Sequence, residues 1–121
     1  MLLHAEITDR ILNAAVTVHK TLGAGFLEKI YVQAVAHELR KAGVTFELEK
    51  RLKVSYDGIL LGEFTPDMDV EGIVIVEFKS CKALNAEHEA QLLNYLKATG
   101  RRVGLLLNFG RRTVEIKRMV L

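Results

Sequence analysis

The sequence offers little of what marks several common protein classes. It holds one cysteine, Cys81, in 121 residues. No internal disulfide can form, a disulfide scaffold is excluded, and a reducing cytoplasmic location is the expectation. No apolar run approaches the ~18 residues of a membrane helix. The start, Met1-Leu2-Leu3-His4-Ala5-Glu6, has neither the basic region nor the long apolar stretch of a signal peptide. Internal repeats, low-complexity tracts and Gly/Ser/Pro-rich linkers are missing too, so one domain over residues 1–121 is expected. Charge of one sign is scarce. The net charge of +2 is too mild to argue for nucleic-acid binding by itself.

What is present is the balance of a globular chain, 50% hydrophobic and 26% charged, long enough to bury roughly 65% of its unfolded surface in a true core. Ile7, Ile11, Ala15, Val18 and Leu22 recur every three or four residues, which predicts a helix over about Thr8–Leu22, stopped by Gly23 and Gly25. A second helix is expected over Leu27–Ala42, closed by Gly43. Alternation at Phe46/Leu48 and at Leu52/Val54/Tyr56 predicts short strands. Asp57-Gly58 then marks a hairpin turn before a return strand, Ile59–Phe64. Pro66 suits a strand edge. Met68–Val70 is short and extended, and Glu71-Gly72 turns the chain. Ile73-Val74-Ile75-Val76 is a continuous apolar run, as in a strand buried on both faces, and it ends in Glu77-Phe78-Lys79. A third helix is expected over Ala86–Thr99, with Asn85 as N-cap, then strands at Val103–Phe109 and Thr113–Met119. The order ααββββαββ gives an α/β fold, a mixed β-sheet flanked by helices.

Acidic residues at the end of an apolar strand are where chemistry is expected. Glu77 and Lys79, two apart, project to one face while Phe78 points to the other. Asp67 lies on the strand that the Glu71-Gly72 turn would pair with them. A hard cation needs clustered carboxylates and a backbone carbonyl, and Asp67 with Glu77 could supply the pair. A two-residue turn would place Asp67 on the wrong face, so a three-residue turn or a bulge is required. Asp69 shares the parity of Asp67, and spacing alone does not choose between them.

Pro66-Asp67 followed by Glu77-Phe78-Lys79 resembles the signature of the PD-(D/E)XK nuclease superfamily. Three further blocks strengthen the likeness. Gly25-Phe26-Leu27-Glu28-Lys29-Ile30-Tyr31 resembles the motif that names the GxxExxY family, a branch of that superfamily; Gln91-Leu92-Leu93-Asn94-Tyr95 resembles its Gln-x-x-x-Tyr motif; Gly104 to Gly110, with Asn108-Phe109-Gly110, matches its closing strand. The resemblance implies a restriction-endonuclease-like core and a phosphodiester hydrolase acting on nucleic acid, with DNA as the expected substrate. It implies a Mg²⁺ or Mn²⁺ site built from Glu28, Asp67, Glu77 and the Phe78 carbonyl, with Lys79 beside the attacking water. Gln91 and Tyr95 would touch substrate or orient ligands, with His19 and Tyr31 supporting the site.

Other readings accompany this one. A nuclease fold can serve as a catalytically silent module that binds nucleic acid or a protein partner, and the same chemistry could act on nucleotides. A chain this short would need a homodimer to embrace duplex DNA. Cys81 reads as a free thiol, since no histidine stands at a partner spacing. The pairs Lys50-Arg51, Arg101-Arg102, Arg111-Arg112 and Lys117-Arg118 could contact phosphates, but no aromatic residues interleave with them as a single-strand stacking platform would require.

Overall fold

The structure, a computed structural model that describes residues 3–121, forms α1 (Ala5–Leu22), α2 (Glu28–Lys41), β1 (Phe46–Leu48), β2 (Leu52–Tyr56), β3 (Ile59–Phe64), β4 (Met68–Val70), β5 (Val74–Lys79), α3 (Ala86–Thr99), β6 (Val103–Asn108) and β7 (Glu115–Val120). Met1 and Leu2, part of the N-terminal segment discussed above, lie outside the described residues. Five strands, not four, separate α2 from α3. Glu49, at φ 53°, turns the chain sharply between β1 and β2, and the two halves join different partners. β1 pairs with β4, whereas β2 pairs with β3 in a separate ribbon.

The main sheet has the order β1-β4-β5-β6-β7. Only β5 and β6 run parallel, and a parallel pair needs a crossover, which α3 provides. Strand β5 is apolar on both faces, as its unbroken run predicts. Val74, Val76 and Phe78 pack with Ile11, Val18, Tyr31 and Val35 of α1 and α2. On the opposite face Ile75 packs with Leu92 and Leu96 of α3 and with Phe64. Alternation along β5 therefore sets Glu77 and Lys79 on the α3 side. Among the described residues no helix is long and apolar enough to cross a membrane.

Candidate metal and phosphodiester site

The geometry of the site begins with a turn. Glu71 (φ 56°) and Gly72 (φ 66°) are both left-handed, and the amide of Ile73 donates to the Val70 carbonyl at 2.9 Å. Ile73 is thus spent in the turn rather than in the strand, and Val70 pairs with Val74. With three residues in the loop, Asp69 opposes Ile75 and Met68 opposes Val76. One step further along that register, Asp67 falls opposite Glu77. The turn is held from both sides. The Glu71 carboxylate accepts from the Thr45 hydroxyl at 2.8 Å and the Thr45 amide at 3.3 Å, while Arg101 donates to the Gly72 carbonyl.

Asp69 has a different employment. Its side chain is 2% exposed and pairs with Arg101 at 2.7 Å and Lys50 at 3.8 Å. Asp67 instead accepts a 2.8 Å hydrogen bond from the amide of Phe78, which ties it to the strand carrying Glu77 and Lys79. The two acids that sequence parity could not separate are therefore distinguished by their partners.

Glu77 is electrostatically unusual. Burial, and then the neighbouring Asp67 carboxylate, push its pKa up from 4.5 to about 8, against a smaller opposing pull from the Asp67 backbone and the Lys79 ammonium. Its Oε1 is buried without a hydrogen-bond partner. A buried carboxylate oxygen in that state is costly unless a proton or a cation answers it. Among the described residues no three His, Cys, Asp or Glu side chains gather closely enough to enclose an ion by themselves. The donor set at hand is Asp67, Glu77 and the Phe78 carbonyl. That suits Mg²⁺ or Mn²⁺, hard cations bound through one or two carboxylates with several waters retained.

Glu28 opens α2 and lines a cleft of about 390 Å³ together with Asp67, Lys29 and Gln33. Tyr31, one turn later, is fully buried. Its hydroxyl donates to the Gly23 carbonyl at 2.5 Å and accepts from the Phe26 amide at 3.2 Å, and its ring stacks on Phe109 at 4.5 Å. Tyr31 thereby fixes the loop from which Glu28 emerges. His19 also lies in the core. Its Nε2 is 2.8 Å from the Arg111 carbonyl, and its ring stacks on Phe109 at 5.9 Å. Both act as braces for the loops around the site.

Gln91 is exposed on α3, on the sheet face that carries Glu77. Tyr95 stacks on Phe64 with ring centroids 3.4 Å apart, which anchors the base of the β2–β3 ribbon three residues before Asp67. The role of one residue in the closing-strand block went unread in the sequence. Asn108 is fully buried at the end of β6. Its Oδ1 accepts from the amides of Cys81 and Gly110, and its Nδ2 donates to the Cys81 carbonyl and to Glu115, all at 3.0 Å. Glu115 also accepts from the Leu84 amide, and these bonds lower its pKa. The network pins the segment that follows Lys79. An asparagine closing the run Val-Gly-Leu-Leu-Leu is the signal that could have shown it, because a buried amide must find partners. Gly110 belongs to the same clamp, since a Cβ there would strike the Cys81 backbone.

The family model of the PD-(D/E)XK nuclease superfamily matches residues 5–119. The chain is similar in fold to the crystal structure of SSO0001, at 14% identity and a TM-score of 0.50, over 96% of this chain and 78% of that one. It also matches an alkaline exonuclease (LHK-Exo) from Laribacter hongkongensis, at 12% identity and a TM-score of 0.45, over 99% of this chain and 72% of that one. No curated protein matches the sequence.

Proposed function

The chain belongs to the PD-(D/E)XK nuclease superfamily, and from that premise we propose that it is a Mg²⁺- or Mn²⁺-dependent phosphodiester hydrolase acting on DNA. The observation that carries this reading is the placement of the Asp67 carboxylate, bonded to the Phe78 amide, beside Glu77, whose buried Oε1 lacks a partner. Asp67, Glu77 and the Phe78 carbonyl would hold the ion, with Glu28 on the wall of the same cleft as Asp67. Once bound, such an ion lowers the pKa of a coordinated water toward ~7 and polarises a phosphoryl oxygen. To hold the ion, Glu77 would have to release its proton to solvent. Lys79, on the same strand face, offsets the charge that builds on the phosphate as it is attacked. Gln91, exposed on α3, would touch substrate or orient ligands. Within the superfamily we place the chain in the GxxExxY branch, as one cytoplasmic domain over residues 1–121 that pairs as a homodimer.

The test is incubation of labelled single- and double-stranded DNA and RNA with Mn²⁺ or with EDTA, alongside Lys79→Ala. Cleavage of DNA that requires both the metal and Lys79 is the expected result. Retained binding without cleavage in any condition would replace the hydrolase with a silent binding module.

A further inference from the structure

We infer that Phe26, Leu27 and Ile30 form a stacking ledge for an unpaired nucleobase next to the scissile phosphate, so that the preferred substrate carries a single-stranded segment there. The inference rests on the phosphodiesterase reading above and names the substrate feature that this site selects. The three side chains are 46%, 67% and 40% exposed, and they flank Glu28 in the chain. Exposed apolar side chains beside Glu28 in the chain, bonded through Phe26 to the residue after Lys79, serve no purpose in phosphate recognition. It suits the faces of bases, which are apolar and polarisable.

The ledge is held in place with unusual care for an exposed feature. The Phe26 amide donates to the Tyr31 hydroxyl at 3.2 Å, and the Phe26 ring meets the Tyr31 ring edge-on, at 6.1 Å and 82°. The Phe26 carbonyl accepts from the hydroxyl of Ser80 at 3.3 Å. Ser80 directly follows Lys79, so the ledge is bonded to the strand that carries the reactive groups. Binding a base on a ring already fixed in position loses less side-chain entropy than ordering a free one.

Charge favours nucleic acid as the occupant. Lys29 borders the ledge on α2 and lines the cleft with Glu28. On the other side Ser80 leads to Lys82, whose carbonyl accepts from Arg111 at 3.3 Å, which brings two further exposed cations to the loop that Phe26 touches. Cations on either side of an apolar surface match a strand that presents phosphates outward and a base between them. Another exposed apolar cluster, Tyr56 to Leu61 at the hairpin tip, has Asp57 as its only charge and offers no such match. Size agrees as well. Three partly exposed side chains fall well short of the ~800 Å² per partner of a standard protein interface, yet they cover one or two bases. Bases within a duplex are stacked on each other and cannot use the ledge, so the preference is for unpaired nucleotides.

The test compares the intact wild-type protein with Phe26→Ala and Phe26→Trp. Anisotropy in EDTA gives Kd for a fluorescein-labelled single-stranded DNA and for the same sequence as a blunt duplex, and wild-type cleavage is followed in Mn²⁺. Phe26→Ala is expected to raise the single-strand Kd about 5- to 100-fold, to leave the duplex Kd within about twofold, and to keep its thermal midpoint. Phe26→Trp is expected to restore single-strand binding. An unchanged single-strand Kd, or equal losses on both DNAs, in a protein that still cleaves DNA overturns the ledge and leaves the hydrolase standing. A wild-type protein that neither binds nor cleaves either DNA overturns both.

Discussion

Asp67 accepts its hydrogen bond from the amide of Phe78, the residue between Glu77 and Lys79. That 2.8 Å contact joins the end of the short β4 pair to the strand that carries the basic and the second acidic group. It fixes one oxygen of Asp67 and leaves the carboxylate beside Glu77, where it raises the Glu77 pKa. Several experiments test what this pairing does.

Glu77 should make the metal-free protein lose stability as pH rises. Its folded pKa of about 8 lies above the ordinary 4.5, so the native state holds a proton that the unfolded chain has released. The contribution is fully present below pH 4.5 and is lost as pH climbs through 8, on the order of a few kcal/mol in total. Thermal melts in EDTA across pH 5 to 8 check this, and Glu77→Gln should flatten the profile.

Metal binding should separate the three acids. Calorimetric titration with Mn²⁺ at pH 7 is expected to show one binding event with net proton release, abolished by Glu77→Ala and weakened by Asp67→Asn. Asp69→Ala should instead leave Arg101 without its buried partner and cost about 3–5 kcal/mol of stability, with the isotherm retained in whatever fraction stays folded. Loss of Mn²⁺ binding in a fully folded Asp69 variant would reverse the assignment of the two aspartates.

Gln91 and Tyr95 share a helix face but should behave differently. Gln91 is exposed, so Gln91→Ala should lower turnover while the melting temperature holds. Tyr95→Ala removes the stack on Phe64 and should destabilise the protein by about 1–3 kcal/mol, with Tyr95→Phe close to wild type. A folding defect in Gln91→Ala would make it a packing residue.

Two braces should matter more than their distance from the acids suggests. Tyr31→Phe deletes the hydroxyl that serves both Gly23 and Phe26, leaving those groups unsatisfied at a cost of about 1–3 kcal/mol. Gly110→Ala forces a methyl group into the Cys81 backbone and should be more damaging still, because neither side of that contact is a flexible side chain. Urea denaturation of both variants measures the losses, and a near-neutral Gly110→Ala would show that the segment after Lys79 can move aside.

Much of this protein was legible in its residue order. Local periodicity located three helices, and the uninterrupted run at 73–76 foretold a strand buried on both faces; the motif blocks named the superfamily. Those features depend on short-range rules, so the sequence alone determines them. All five strand segments before α3 were legible, but the order ααββββαββ counted the first two as one; that β1 and β2 part company was hidden, because Glu49 adopts a left-handed conformation that is uncommon for glutamate. Which aspartate faces Glu77 was decided by tertiary structure. A single residue in the Glu71–Ile73 turn decides whether either aspartate shares the face of Glu77. Thr45 and Arg101, remote in the chain, hold that turn, and the register with the ion pairs of Asp69 to Arg101 and Lys50 leaves Asp67 as the one beside Glu77. The same holds for the ledge at Phe26. In the sequence no aromatic residue sits among the basic pairs, yet the fold brings Phe26 against Ser80 across 54 residues. Periodicity reports which face a side chain takes on its own element, while the elements that meet are chosen by packing of the whole core.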